Sequence, residues 1–109
     1  MTGRKVYLQS KERILNSIYD IVELLNGRQT IAGAKDGIIG ARLSMYGRRW
    51  EMFFCVKDIG ENCCIVAVEI MGERSDKRKE IKSAFALLDY MLVIGAEIEF
   101  DENEDSLFY

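Results

Sequence analysis

The sequence predicts an α+β fold: an antiparallel β-sheet of about four to five strands, with an N-terminal helix and a long C-terminal helix packed on one face, in the order β-α-β-β-β-β-α. Three observations predict it. Apolar residues recur at helical spacing near the start and again near the end of the chain. Between them lies a stretch of strict alternation broken by turn residues, the mark of half-buried antiparallel strands. The chain of 109 residues is long enough for one core but not two.

The elements follow in order. Lys5-Val6-Tyr7-Leu8 reads as a short strand. Ser10 suits an N-cap, because its hydroxyl accepts an orphan backbone N–H of the helix that follows. From Lys11 to Asn26 the stripe is Ile14, Ile18, Ile21, Val22 and Leu25, widened by Leu15, Tyr19 and Leu24, and Asn26-Gly27 supplies the stop. Gln29 to Ala34 is a weak strand, and Asp36-Gly37 has the composition of a type I′ hairpin turn. Ile38 to Tyr46 and Arg49 to Lys57 are strands joined by a turn at Gly47-Arg48. A three-residue loop, Asp58-Ile59-Gly60, leads to a strand from Asn62 to Met71. Ser75 or Asp76 caps the second helix, whose apolar stripe is Ile81, Ala84, Phe85, Leu88, Met91 and Leu92 and which runs to about Ile94. Residues 1–100 are expected to form the domain and 101–109 an acidic, mobile tail.

These turns sort the side chains onto two faces. The turn at Gly47-Arg48 sets Met45 opposite Trp50, Leu43 opposite Met52 and Ala41 opposite Phe54. The loop at Asp58–Gly60 sets Phe54 opposite Cys64, Met52 opposite Val66 and Trp50 opposite Val68. All of these share one face, apolar throughout, that the helices must cover. The other face carries Arg42, Ser44, Glu51 and Glu69, with Arg49 opposite Glu69, around an apolar middle of Phe53, Cys55, Cys63 and Ile65. Contiguous exposed apolar surface usually marks an interface. Those four residues are therefore the interface candidates, for a homodimer or a protein partner, unless a terminal segment such as Ile98-Glu99-Phe100 covers them.

Composition narrows the chemistry. There is no histidine, so acid–base catalysis would need a carboxylate, lysine or tyrosine of shifted pKa. Glu51 and Glu69 are the strand-borne carboxylates, and both face outward on these registers. No glycine-rich phosphate loop and no nucleophile–base pair is recognisable, so no catalytic residue is assigned and the protein is not expected to be an enzyme. The three cysteines, Cys55, Cys63 and Cys64, are odd in number and poorly spaced for zinc. Neither a disulfide framework, a metal site nor a cofactor is expected. No apolar run approaches the roughly 20 residues of a membrane span, and the N-terminus lacks the apolar stretch of a signal peptide, which points to the cytoplasm.

Charge is asymmetric. Residues 1–82 carry all 15 basic residues and 11 acidic ones, a balance of +4, while residues 83–109 carry seven acids and no base. Arg74, Lys77, Arg78 and Lys82 (with Lys79) sit at the start of the second helix, where cations oppose the macrodipole. They are the candidate anion or tail-docking residues, and the acidic tail is the nearest candidate to neutralise them. Arg42, Tyr46, Arg48, Arg49, Trp50 and Phe53 mix basic and aromatic side chains as single-strand nucleic-acid binders do.

The succession of strand, helix, antiparallel strands and long C-terminal helix resembles the helix-grip fold of the START/Bet v 1-like (SRPBCC) superfamily in its small bacterial form. Ile38-Ile39-Gly40-Ala41-Arg42-Leu43-Ser44-Met45-Tyr46-Gly47 followed by Arg49-Trp50-Glu51-Met52 looks like the paired central strands, with Lys77 to Ile94 as the gripping helix. Small members often show a glycine and asparagines entering that helix, where this chain reads Ser75-Asp76-Lys77-Arg78-Lys79-Glu80. The resemblance implies a noncatalytic domain for an apolar ligand or a protein partner. A ligand between sheet and C-terminal helix would meet Met45, Trp50, Met52, Phe54, Phe85 and Leu88. The tail, Asp101 to Asp105 followed by Leu107-Phe108-Tyr109, looks like the C-terminal tips of bacterial and phage single-stranded DNA-binding proteins. That likeness supports the alternative of a nucleic-acid-associated protein with a partner-docking tail, although a body of only +4 makes nucleic acid the less favoured partner.

Overall fold

The structure is a computed structural model that describes residues 2–33, 36–71 and 77–92. The elements are β1 (Thr2–Tyr7), α1 (Lys11–Leu24), β2 (Arg28–Gly33), β3 (Ile38–Met45), β4 (Arg48–Gly60) and β5 (Cys63–Met71). A second helix, α2, is described over 78–92. The five strands form one antiparallel sheet in the order β1-β5-β4-β3-β2, so β1 and β2 are its edges. The α+β architecture and the order of elements are those the sequence predicts. Ile98-Glu99-Phe100 and the acidic tail of 101–109 lie outside the described residues, as do Arg74 and the expected caps Ser75 and Asp76.

Helix α1 begins and ends as its sequence dictates. The Ser10 hydroxyl accepts a hydrogen bond from the Arg13 backbone N–H at 3.3 Å. Ile14, Ser17, Ile18, Ile21 and Val22 are buried, a single face at spacings of three and four. The C-terminus closes as a Schellman motif, in which Asn26 N–H donates to the Glu23 carbonyl at 3.1 Å and Gly27 N–H to the Val22 carbonyl at 2.7 Å. Asn26 takes the left-handed conformation this closure needs, with φ of 56°. One further bond, Ser44 N–H to the Leu25 carbonyl at 3.1 Å, ties the helix end to β3.

The core lies between the helices and one sheet face. Ile39, Ala41, Leu43 and Met45 of β3, Met52, Phe54 and Val56 of β4, and Cys64, Val66, Val68 and Ile70 of β5 are all buried. Helix α1 adds Ile14, Ile18, Ile21 and Val22, and α2 adds Ile81, Ala84, Leu88 and Leu92. Strict alternation puts these strand residues on one face, while Phe53, Cys55, Ile65 and Ala67 point the other way. Trp50 and Phe53 therefore lie on opposite faces, as expected.

The hairpins differ from the sequence-based registers in their turns. Met45 pairs with Arg48, Leu43 with Trp50, Ala41 with Met52 and Ile39 with Phe54. The β3–β4 turn is thus Tyr46-Gly47 rather than Gly47-Arg48. Tyr46 and Gly47 have φ of 52° and 73°, the positive pair that a type I′ turn requires. Placing glycine second spares Arg48 that conformation. At the other end β4 runs on to Gly60, with a bulge between Asp58 and Gly60, and turns at Glu61-Asn62, where Asn62 has φ of 49°. Phe54 therefore faces Val68, Met52 faces Ile70, and Phe53 rather than Arg49 faces Glu69, while Arg49 faces Ser44. At Asp36-Gly37 only Gly37 has positive φ, and Gly33 pairs with Ile38, so the connection is longer than a two-residue hairpin.

Gly37 and Gly47 share the same φ of 73° but not the same surroundings. A Cβ at Gly37 would collide with the Val56 carbonyl oxygen, whereas one at Gly47 meets nothing within 4 Å. Gly47→Ala should cost about 1 kcal/mol of backbone strain. Gly37→Ala adds a clash at the point where Val56 N–H donates to the Gly37 carbonyl at 2.7 Å, and should cost about 2 kcal/mol or more. Urea denaturation of the two variants checks the order.

Candidate functional site

Three regions hold the residues singled out by the sequence. The first is the space between sheet and helices. Met52, Phe54 and Leu88 have no accessible surface at all, so no water-sized void adjoins them. They fill the core in this structure, whereas the helix-grip resemblance implies that they line a pocket. Long strands and two helices supply enough side chains to close this space completely. Trp50 and Phe85 are half-buried at its margin, and the Trp50 indole N–H donates to the Met45 carbonyl at 3.0 Å. Met45 borders an open apolar recess of about 480 Å³ beside α2, together with Leu25, Ser44, Tyr46, Ser83, Ala86 and Leu87.

The second region is the outer sheet face. Rows across the strands run Val6–Ile65–Lys57, Arg4–Ala67–Cys55–Ile38, Thr2–Glu69–Phe53–Gly40 and Met71–Glu51–Arg42–Arg28. Phe53, Cys63 and Ile65 are half-buried and Cys55 is exposed. Val6 is 52% exposed, Ile38 38% and Met71 49%. The apolar middle expected from the sequence is therefore contiguous, and it is wider than the four residues named there, because β1 adds Val6 and β3 adds Ile38. Their contribution follows from strand order, which alternation alone does not reveal.

The third region is the end of the sheet where α1 stops. A cleft of about 830 Å³ is lined by Asn26, Gly27, Arg28, Thr30, Arg42, Arg49, Trp50 and Glu51. Arg49 is held in place by three hydrogen bonds. Its guanidinium donates to the Asn26 carbonyl at 3.2 Å, the Ser44 hydroxyl at 2.9 Å and the Arg42 carbonyl at 3.3 Å. Arg48 lies over the Trp50 ring, 5.3 Å from its centroid. Of the mixed basic and aromatic residues, the structure brings Arg42, Arg49 and Trp50 together here. Phe53 belongs to the outer face, and Tyr46 lies against α2, where its hydroxyl meets that of Ser83 and Lys79 sits over its ring.

The basic start of α2 is less open than its sequence implies. Lys77 is only 3% exposed, and both it and the exposed Arg78 already have an interaction partner. A buried ammonium persists only when it is partnered. Lys79 and Lys82 remain exposed. Among the described residues no group of histidine, cysteine, aspartate or glutamate comes together in a way that could hold a metal ion, and no helix is long and apolar enough to cross a membrane.

Two titrating groups are displaced from their ordinary range. Burial raises the Tyr7 phenol above its usual 10.0, with help from its hydrogen bond to Asp89 at 2.7 Å and from that carboxylate's charge. The same carboxylate pairs with Lys5 at 2.6 Å. Burial pushes the Cys64 thiol up from 9.0 to about 11, again aided by a hydrogen bond to a carboxylate, Asp58, at 3.2 Å. The thiolate is the nucleophile, so Cys64 is inert near neutrality. Both groups keep their protons in the folded chain at pH values where the unfolded chain releases them. These two groups therefore leave stability unchanged below about pH 9 and lower it as pH rises from 9 towards 11, with Tyr7 adding to the fall above 10. Urea midpoints measured from pH 7 to 11 should show this decline, and Cys64→Ala should delay its onset by about one pH unit.

No family model matches the chain, and no curated protein matches it. No family model supports the helix-grip resemblance, and solved structures match the chain at the level of fold. One is a chain from the crystal structure of the adenylate sensor from AMP-activated protein kinase in complex with 5-aminoimidazole-4-carboxamide 1-beta-D-ribofuranotide. It superposes with a TM-score of 0.58 over 85% of this chain and 94% of that one, at 13% sequence identity. At that identity the likeness establishes a common α+β fold and nothing finer.

Proposed function

We propose that the protein is a noncatalytic interaction module that docks through the outer face of its sheet, with a second copy of the chain as the occupant. The observation that carries this reading is the one-sided architecture: both helices pack on the inner face, and the outer face has an apolar centre of Val6, Ile38, Phe53, Cys55 and Ile65. Its margins carry both signs of charge, with Arg4, Lys57 and Arg42 against Glu51 and Glu69. A two-fold axis can set such a surface against itself, basic margin to acidic margin, around a desolvated middle. The absence of histidine and the outward, half- or fully exposed positions of Glu51 and Glu69 support a role without catalysis.

A second reading rests on the apolar recess beside α2. An apolar small molecule would enter there, against Met45, Leu25 and Leu87, rather than between the sheet and the middle of the helix.

Replacing Phe53 by Glu tests the docking face. The side chain is half-buried on an otherwise open surface, so the fold should tolerate the change, with a thermal midpoint within a few degrees of the parent. Light scattering should show a dimer for the parent chain and a monomer for the variant, through the burial of an uncompensated carboxylate in the interface. A monomeric parent, or a variant dimer of unchanged affinity, removes this face from consideration.

A further inference from the structure

We infer that the cleft at the end of the sheet is a binding site for a phosphate group, carried by a soluble nucleotide-sized molecule or by a lipid headgroup. The inference does not rest on the docking reading, although Arg42 and Glu51 belong to both surfaces. It starts from an electrostatic arrangement that the fold does not itself satisfy. Arg28 of the edge strand β2 and Arg42 of β3 are direct cross-strand partners. Like charges in that relation repel at a side-chain separation of roughly 5 Å. Arg49 reaches the same place from β4, so three arginines line the cleft against a single carboxylate, Glu51. Glu51 is the cross-strand neighbour of Arg42, a single carboxylate set against three guanidinium groups.

The three arginines have different parts. Arg49 is committed: its hydrogen bonds to Asn26, Ser44 and Arg42 fix the guanidinium without neutralising it. It contributes a rigid positive charge and braces the end of α1 against β3. Arg28 and Arg42 are exposed, and their forks are available for paired donation to an oxyanion. A phosphate between them converts a mutual repulsion into two attractions. The volume of about 830 Å³ leaves room beyond the phosphate for the body of a nucleotide or the glycerol end of a lipid. The half-buried Trp50 offers that body an apolar wall. The carboxylate of Glu51 disfavours a second anionic group on its side of the cleft, and so favours molecules with one cluster of negative charge.

The experiment uses the full chain and its single tryptophan, which lies in the cleft, so Trp50 emission reports occupancy directly. Pyrophosphate and adenosine monophosphate form the soluble arm. Phosphatidylcholine vesicles with and without phosphatidic acid form the lipid arm. A saturable change in Trp50 emission is expected in at least one arm, and the responding arm identifies the source of the phosphate. Arg28→Gln and Arg42→Gln should each weaken that binding about ten-fold or more, through the loss of a charge-assisted fork. Each should leave the thermal midpoint of the ligand-free protein unchanged or raised, because the like-charge pair is relieved. A merely structural role for these arginines predicts the reverse, lower midpoints and unaltered binding. No saturable response in either arm, responses that follow ionic strength alone, or glutamine variants that bind as the parent does would each overturn the assignment.

Discussion

Everything in this fold depends on one sheet face being apolar across its three central strands. From Ile39 to Met45 of β3, Met52 to Val56 of β4 and Cys64 to Ile70 of β5, every second residue is large and buried, or is Ala41 or Cys64 filling a smaller space. Burying such side chains stabilises by roughly 1.5–3 kcal/mol each, so leaving the face open would cost more than the domain's whole net stability. The helices are its cover, and their stripes are matched to it. α1 brings four branched aliphatic side chains, and α2 brings Ile81, Ala84, Leu88 and Leu92, with Ala84 only 1% exposed where the helix lies close. Once both helices are spent on this side, none of the described elements remains for the other. The exposed apolar centre around Phe53 is thus a consequence of how the core was satisfied.

The same constraint explains why faces were legible in the sequence when turns were not. The β3–β4 pairing differs from the expected one by two residues, and the β4–β5 pairing by four, as Phe54 facing Val68 instead of Cys64 shows. Both slips are even, and an even slip leaves every side chain on its own face. An odd slip would have exposed Met52, Phe54 and Val66, and the hydrophobic pattern forbids it. The turns escaped the reading because several short segments had suitable composition. Gly47-Arg48 and Asp58–Gly60 contain glycine, but the chain turns at Tyr46-Gly47 and Glu61-Asn62, where a tyrosine and an asparagine take positive φ. Local turn preference is worth about 1 kcal/mol, which cross-strand packing readily outweighs.

The cleft was the least legible part. Arg28, Arg42 and Arg49 lie on three strands and are brought together by the β2–β3 register and by the closure of α1 at Asn26-Gly27. No spacing rule connects residues 28, 42 and 49. The available signal was the mixed basic and aromatic composition of residues 42–53, which pointed to Arg42, Arg49 and Trp50 without Arg28. The basic start of α2, by contrast, was easy to see, but a run of charge does not show that Lys77 within it is buried and partnered. Runs of charge report where cations are in the chain, whereas a site depends on which of them remain uncommitted after folding.

The docking face and the cleft share a border. Arg42 and Glu51 form the row next to Phe53 and Gly40, so Phe53 and Arg42 are diagonal neighbours on adjacent strands. Diagonal pairs lie roughly 7–8 Å apart, within reach of long side chains. A glutamate placed at position 53 would therefore do two things at once. It would put a charge in the apolar centre, and it would offer Arg42 a carboxylate that competes with phosphate. An effect of that change on anion binding is not evidence that the two surfaces act together. Ile65 provides the separation: it lies on the same face two strands from β3, beside Val6 and Lys57 and away from the arginines of the cleft. Introducing a charge there opposes docking while leaving the cleft's electrostatics nearly untouched, since exposed charges beyond about 10 Å are screened at ordinary salt. If Ile65→Glu and Phe53→Glu weaken association alike and only Phe53→Glu weakens phosphate binding, the two surfaces are neighbours by geometry and independent in energy. If Ile65→Glu weakens both, a copy docked on the outer face completes the cleft, and the two surfaces form one site.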